Sequence, residues 1–386
     1  MMLEMPPPSA GPRRDAAVLA AVLVAPLLMP LLAVLAPSAL GAPAAADRVV
    51  RLTADPGSLV RSAETGLTAG VTRLRTSTYS LVAATWHGRA PEVSVRTAAD
   101  GGWRPLVPLA DGPDLGAGEG VPGLSGTDLL WTGPRTGLDV RVRGTGFTDL
   151  ELVLIDPGSL AADSATPGPV TLPRTAADRP DSAPQPRLRT RADWGADNSW
   201  RNGSPVYMKR LKQVHVHHTA TGNRYSRSDV PGIIRGMYRY HTKTLGWFDI
   251  GYNFLVDRFG RAWVGRSGGP NRLVRGAHTL GFNQVSVGIA MMGNLDNRKP
   301  WGEAVKTMRR LAAWKLDAYD RRATGKVWVR STGSDNYDDG EMVRLPAIDG
   351  HRDTNDTACP GQKLYDRLPG IRRHTQARMD AYSPAE

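Results

Sequence analysis

Between Arg48 and Ile155, apolar and polar positions alternate with the two-residue period of β-strands. Leu138, Val140 and Val142 are interleaved with Asp139, Arg141 and Arg143, and Leu150, Leu152 and Leu154 with Glu151 and Val153. Tyr79 to Trp86 is a further β-rich run, and Asp100-Gly101-Gly102 before Trp103 has hairpin-turn chemistry. Short strands between Gly-rich turns, with no helical stretch among them, predict a small all-β, sandwich-like module over 47–155. His87 is its only histidine and has no evident partner, so a binding or spacer role is expected there.

Asp156 to Leu188 holds prolines at 157, 167, 169, 173, 180, 184 and 186, with Ala, Ser, Asp and Thr between them. Such a composition cannot pack a core and predicts a semi-extended linker over 156–188. From 189 to 386 the period changes. Gln213 to His217 reads as a strand. Val230, Ile233, Ile234, Met237 and His241 fall on one helical face, with Pro231 tolerable in the first turn and Ser228 or Asp229 as cap. Tyr252 to Val256 and Arg261 to Gly265 are strands around Asp257-Arg258-Phe259-Gly260, and Ser286 to Met292 is a buried strand. Met308, Ala312, Leu316 and Tyr319 mark a second helix, and a last short helix starts near Gln362. The expectation is an α/β domain with a mixed central sheet flanked by helices. It should fold and act without the β-rich module.

Arg13 and Arg14 precede an uncharged stretch from Ala16 to Ala46 that ends in small residues. A basic start, an apolar run and a small-residue tail predict an export signal over 1–46, with cleavage after Gly41 or Ala46. An uncleaved anchor is the competing reading, because about 20 residues can span a bilayer, but Pro26 and Pro30 interrupt the run. A secreted protein is therefore expected. The 49 Lys and Arg against 37 Asp and Glu give a net charge of +12, which favours polyanions: nucleic acid, anionic lipid headgroups or acidic wall polymers. Nucleic acid is disfavoured, since no basic helix or aromatic platform is evident.

Cys359 is the only cysteine, so no intramolecular disulfide exists, and a lone thiol in an exported chain is either an exposed liability or a claimed ligand. His217 ends the strand Val-His-Val-His-His, and His351 and Cys359 sit eight apart in one Gly-, Asp- and Thr-rich segment. Two imidazoles and one thiolate make a three-ligand zinc site with an open position, as catalytic zinc sites have. Spacing alone leaves alternatives. His215 shares the face of His217 and is an equal candidate on periodicity, whereas His218 points the other way. His241 belongs with the packed helix face, and His278 fits a ligand, a substrate contact or a satisfied loop histidine.

Six segments in order make the C-terminal part recognisable: Arg191-Ala-Asp-Trp-Gly-Ala, His217-His-Thr-Ala, Gly246-Trp-Phe-Asp-Ile-Gly-Tyr-Asn-Phe-Leu-Val-Asp, Gly276-Ala-His-Thr-Leu-Gly-Phe-Asn, Ser286-Val-Gly-Ile, and Gly350-His351 through Cys359-Pro360. Over roughly Leu188 to Arg372 the chain resembles the peptidoglycan recognition proteins and the bacteriophage-type zinc N-acetylmuramoyl-L-alanine amidases. The N-terminal module and linker resemble those of exported actinobacterial members. The resemblance implies the peptidoglycan recognition fold, with His217, His351 and Cys359 as zinc ligands. It matches Tyr252 to the catalytic tyrosine. Thr357 stands where phage enzymes have lysine and animal amidases threonine. Relatives acting on recycled fragments carry Asp at the position of Cys359, and non-catalytic members typically lose the first histidine or the cysteine. This chain keeps all three.

The implied reaction is hydrolysis of the amide between the lactyl group of N-acetylmuramic acid and L-alanine in peptidoglycan. Zinc with Tyr252 or Thr357 as donor would stabilise the developing oxyanion. No Glu accompanies the motif as in the His-Glu metalloproteases, so the implied base is the zinc hydroxide itself, aided by Tyr252. His278, Arg272 and Arg275 are the implied substrate contacts, the arginines for peptide carboxylates. The alternative is a non-catalytic peptidoglycan-binding protein. The disulfide that animal members carry near the first ligand is absent, so packing must hold that loop. The insert 324–342, with Asp335, Asp338 and Asp339, matches no family role.

Overall fold

In the computed structural model the described residues are 47–51, 71–110, 112–114, 118–164 and 181–383. The stretch 1–46, expected as an export signal, and the middle of the Pro-rich segment lie outside them.

The N-terminal strands are β1 (Asp47–Arg51), β2 (Val71–Gly88), β3 (Glu92–Arg96), β4 (Arg104–Leu106), β5 (Leu124–Gly126), β6 (Leu130–Arg143) and β7 (Phe147–Ile155). They form one sheet in the order β1-β7-β2-β6-β3-β4, with β5 on β2, rather than two opposed sheets. Every pairing is antiparallel. The alternation read from the sequence is the alternation of its faces. Val82, Ala84, Val93, Val95, Leu138, Val140, Val142, Leu152 and Leu154 share one apolar cluster. The opposite face of β2 and β7 presents Leu81, Ala83, Val153 and Ile155 to a second cluster.

That second cluster is not the accessory module's own. It continues through Val230, Ile233, Ile234, Met237, Tyr240, Leu245 and Trp247 of the C-terminal domain. Both modules belong to the compact unit Ala42–Glu386. A helix, α1 (Ala161–Ser164), stands in the Pro-rich segment, and the next helix is α2 (Asp229–Arg239). Nearly every side chain of α2 is buried, as befits a helix packed on two sides. Gly236 permits the approach: a Cβ there would lie 2.1 Å from Leu81 Cδ1. Buried Arg235 ties the junction down through both Asp163 oxygens (2.8 and 2.7 Å) and the carbonyls of Pro157, Gly158 and Trp194. At the far end of the Pro-rich segment, Ala183 is buried in the C-terminal core and its N–H donates to Asp317.

The C-terminal sheet comprises β8 (Leu188–Arg189), β9 (Gln213–His218), β10 (Phe254–Val256), β11 (Ala262–Val264), β12 (Ser286–Met291) and, after the hairpin β13 (Lys326–Thr332) and β14 (Asp339–Pro346), β15 (Ile348–Gly350). Its order is β15-β9-β12-β10-β11-β8. β15, β9, β12 and β10 run parallel, and β11 turns antiparallel to β10, giving the expected mixed sheet. One face packs on α3 (Gly302–Asp317) and α5 (Leu368–Asp380), and the other on α2. The short helix near Gln362 is α4 (Gln362–Tyr365).

Three local readings differ in detail. Tyr252 precedes β10 instead of starting it, because Asn253 turns inward to bond Val274 O and Gly288 N–H. His241 lies in a wider π-type turn, Tyr240–Thr244, that prolongs α2. Neither Ser228 nor Asp229 caps α2 as expected: Ser228 makes no cap bond, and the Asp229 carboxylate accepts Ser226 N–H outside the helix (2.6 Å).

Candidate metal centre and its surroundings

Parallel register brings the histidines together. Gly350 of β15 is level with Val216 of β9, so His351, the next residue, arrives beside His217 at the carboxyl ends of adjacent strands. That end of a parallel sheet is where α/β proteins collect ligands. The backbone then turns through His351–Asp353 and returns with Cys359, whose Sγ accepts His218 N–H at 3.4 Å. The His217 Nδ1 to Cys359 Sγ distance is 3.7 Å, and the ring centroids of His217 and His351 are 4.7 Å apart. Among the described residues, His217, His351 and Cys359 are the group that could hold a metal, with ligand atoms all within 4.8 Å and all three side chains buried. Burial, with His215 and His218 adding to it, holds His217 well below the usual imidazole range, so it is neutral and able to donate a lone pair. The donor set fits zinc.

His215, open as a ligand on periodicity, is occupied elsewhere. Its Nδ1 lies 2.9 Å from Asp349 Oδ1, with both side chains fully buried, and Asp349 Oδ2 accepts Gln213 Nε2–H. Burial pushes the Asp349 carboxyl up, against the pull of His215. His218 faces away and accepts Leu295 N–H through Nδ1. His241 accepts Gly251 N–H through Nδ1 and packs on Trp247, and burial pushes it down to about 3.

His278 is brought to the cluster, its Nδ1 3.1 Å from His217 Nε2. Burial, then His217 and His215, holds it well below its ordinary value. The ring fits because β12 has Gly288 opposite His215, where a Cβ would come within 2.5 Å of the imidazole. Tyr252 is buried with its ring 5.5 Å from that of His217. Thr357 is half-buried, and its hydroxyl oxygen accepts Cys359 N–H at 3.1 Å, which leaves its proton to donate. The two arginines each have a protein partner. Arg272 is exposed, its guanidinium 3.4 Å above the Tyr207 ring and bonded to the Tyr207 hydroxyl (2.6 Å). Arg275 faces Glu119 of the accessory module at 3.8 Å.

Sequence reading missed the groups that hold these side chains. Asn283 Oδ1 accepts the N–H groups of His278 (2.8 Å) and Thr279 (3.1 Å). Asp335, in the insert without a family role, accepts from Asp356 N–H and Asn355 Nδ2, steadying the approach to Cys359. The insert forms most of the β13–β14 hairpin, which docks through Val329 and Leu345 onto Phe282. A single Asn or Asp carries no periodic signal, so only the fold reveals these partners.

A family described as N-acetylmuramoyl-L-alanine amidase matches residues 207–362. Peptidoglycan-recognition protein SC1a of Drosophila melanogaster is 30% identical over 183 residues, covering 47% of this chain and 83% of that protein. The chain belongs to the peptidoglycan-recognition protein and amidase family. Peptidoglycan-recognition protein SA of the same organism is 32% identical over 128 residues, 33% of this chain and 60% of that protein. Among solved structures, Drosophila PGRP-LB aligns at 28% identity and a TM-score of 0.38 over 47% of this chain and 92% of that one. The matched family is described as amidases and the relatives as recognition proteins. Hydrolysis and binding of peptidoglycan are therefore the two functions the family offers. Asp114 and Glu119 lie outside the matched residues.

Proposed function

We propose that the chain is a zinc-dependent N-acetylmuramoyl-L-alanine amidase that hydrolyses the amide joining N-acetylmuramic acid to L-alanine in peptidoglycan. The observation that carries this reading is the buried His217, His351 and Cys359 group, complete and within 4.8 Å, at the carboxyl ends of adjacent parallel strands. Zinc bound there would polarise the scissile carbonyl and lower the pKa of water.

The protein's own groups do the rest. His278 Nδ1 is assigned as acceptor of the His217 Nε2–H, which fixes the tautomer and leaves the His217 Nδ1 lone pair on the side of Cys359. Tyr252, beside His217, donates its phenol proton to the carbonyl oxygen as negative charge develops. Thr357, fixed on Cys359 N–H, offers its hydroxyl to the same oxygen. Hydrolysis releases a lactyl carboxylate and the free amine of L-alanine.

We further propose that the N-terminal signal exports the protein and that it works as a monomer on the wall, where anionic polymers attract it. The outward face of the accessory sheet supports that attraction: Arg73 and Arg75 on β2, and Arg141 on β6 stacked 4.1 Å over Trp103. A pull-down on walls and on DNA across a salt series tests the preference. N-terminal sequencing of protein from the medium should begin between Ala42 and Asp47. Mass spectrometry of digested peptidoglycan, beside a zinc assay, tests the activity. Intact stem peptides after digestion by zinc-loaded protein that still binds walls would leave the binding-protein reading.

A further inference from the structure

Two acidic side chains of the accessory module enter the surroundings of the metal centre. Asp114 is 9% exposed, and its Oδ1 accepts Gly281 N–H and Asn283 Nδ2–H, both at 3.0 Å. The carbonyl of Gly112 takes the same amide at 3.0 Å. With its amide nitrogen held there, Asn283 must turn its Oδ1 to the His278 and Thr279 N–H groups. His278 in turn meets His217 at 3.1 Å. An unbroken hydrogen-bonded chain thus runs from the accessory module to a candidate zinc ligand.

Glu119 makes the second entry. Its two oxygens lie 2.7 Å from Nη2 of Arg266, which is 3% exposed, and Oε2 also accepts Phe248 N–H. Arg266 donates through Nη1 to the carbonyls of Asp249 and Ile250, and its own N–H to Tyr252 O. Glu119 therefore anchors the backbone that presents Tyr252. Nearby backbone bonds from Gly120 to Gly246 and from Val121 to Leu245 extend the contact. Between the two modules remains a cavity of about 640 Å³, lined by Leu109, Asp114, Glu119, Trp247, Leu280 and Asp356, the last adjacent to Thr357.

We propose that Asp114 and Glu119 are positioning residues of the active site, so that the accessory module completes the amidase instead of only tethering it. Asp114 sets His278 through Asn283, and Glu119 sets the Tyr252 segment through Arg266. The cavity they border receives part of the substrate. This rests on the amidase reading, yet neither residue lies in the family-matched part of the chain.

The test uses the full zinc-loaded chain and a soluble muramyl-peptide. Variants are Asp114→Ala, Asp114→Asn and Glu119→Gln. Asp163→Asn, which weakens the Arg235 pair at the same junction, serves as a purely structural comparison. Displacing a reacting group by about an ångström can cost up to about a hundredfold in rate, so Asp114→Ala should lower kcat about tenfold. Asp114→Asn keeps an acceptor oxygen and should restore most of it. Glu119→Gln should raise KM several-fold. Zinc should stay at one per chain throughout, and Asp163→Asn should lower Tm while leaving kcat and KM alone. Unchanged kcat and KM in Asp114→Ala and Glu119→Gln, beside an active wild type, would overturn this inference and spare the amidase reading. If the wild type shows no turnover, the amidase reading fails. Calorimetric binding of the same muramyl-peptide then decides: weaker binding by Glu119→Gln supports positioning, and equal binding refutes it.

Discussion

Leu81→Ala tests whether the two modules share one core. Leu81 is fully buried on the face of β2 that meets α2, beside Ile155 and over the bare backbone of Gly236. Removing a buried leucine costs about 2–5 kcal/mol, depending on how far the site can collapse. Here collapse is restricted, because Gly236 has no side chain to move in and α2 is held on its other side by the central sheet. A cost of about 3–4 kcal/mol follows, well above the low end of that range. At about 2–4 °C per kcal/mol for large domains, Tm should fall roughly 6–16 °C. Differential scanning calorimetry should show one endotherm displaced as a whole, and Val140→Ala, in the accessory module's own cluster, should displace the same endotherm. A chain starting at Arg187 would uncover Ile233, Ile234, Met237, Tyr240, Leu245 and Trp247 and should aggregate or bind hydrophobic dyes. Two separate endotherms, with Leu81→Ala moving only one, would refute the shared core. So would a soluble, cooperatively folded truncation.

His217→Ala, His351→Ala and Cys359→Ala should each lose zinc and turnover, whereas His215→Ala should keep zinc but melt lower, because Asp349 loses its buried partner. A metal-free His215→Ala protein would reverse the assignment. Tyr252→Phe should retain full zinc and a near-normal Tm while kcat falls ~10²- to 10³-fold, the usual worth of one oxyanion donor; Thr357→Val should show a milder loss. His241 titrates near 6.5 when unfolded and at about 3 when folded, so between those values only the unfolded chain holds the proton. Stability must then fall with acid by about 1.4 kcal/mol per pH unit in that window. His241→Asn keeps an acceptor for Gly251 N–H, and urea midpoints at pH 7 and 5 should show a shallower acid loss than wild type.

What the sequence discloses follows from what leaves a periodic mark. The alternation at Leu138–Arg143 announced β6, and the apolar face from Val230 to Met237 announced α2. His217, His351 and Cys359 were legible through ordered motifs, and the structure gathers the three. The union of the modules was not legible. A proline-rich composition reads as a linker, but nothing in it says that Arg235 will grip Asp163 or that Ala183 will enter the core. The alternating face of β2 tells that Leu81 is buried without telling what covers it. Helix α5 was overlooked because only Leu368, Ile371, Thr375, Gln376 and Met379 are buried in it, among several charged residues. Arg272 and Arg275 are candidate substrate contacts from their place near His278, and the sequence did not reveal that Tyr207 and Glu119 are their partners.

The loop after His217 shows how the accessory module enters the chemistry of its neighbour. Animal relatives are expected to brace this loop with a disulfide, which a chain whose single cysteine is Cys359 cannot do. Packing alone was the expectation, but the loop is hydrogen-bonded throughout. Thr219 Oγ1 meets Thr221 Oγ1 at 2.9 Å and accepts Gly293 N–H at 3.0 Å. Asn223 and Asn294 exchange two bonds, of 2.8 and 2.9 Å. The carbonyl of Thr221 accepts Trp131 N–H from β6 at 2.8 Å, and the Trp131 carbonyl is in turn held by Arg104. A disulfide restrains such a loop from within one domain, largely by narrowing the unfolded ensemble. Of these bonds, the one from Trp131 restrains the loop only while the accessory sheet is in place. The geometry around His217 is thereby coupled to the folding of a module outside the family's matched residues.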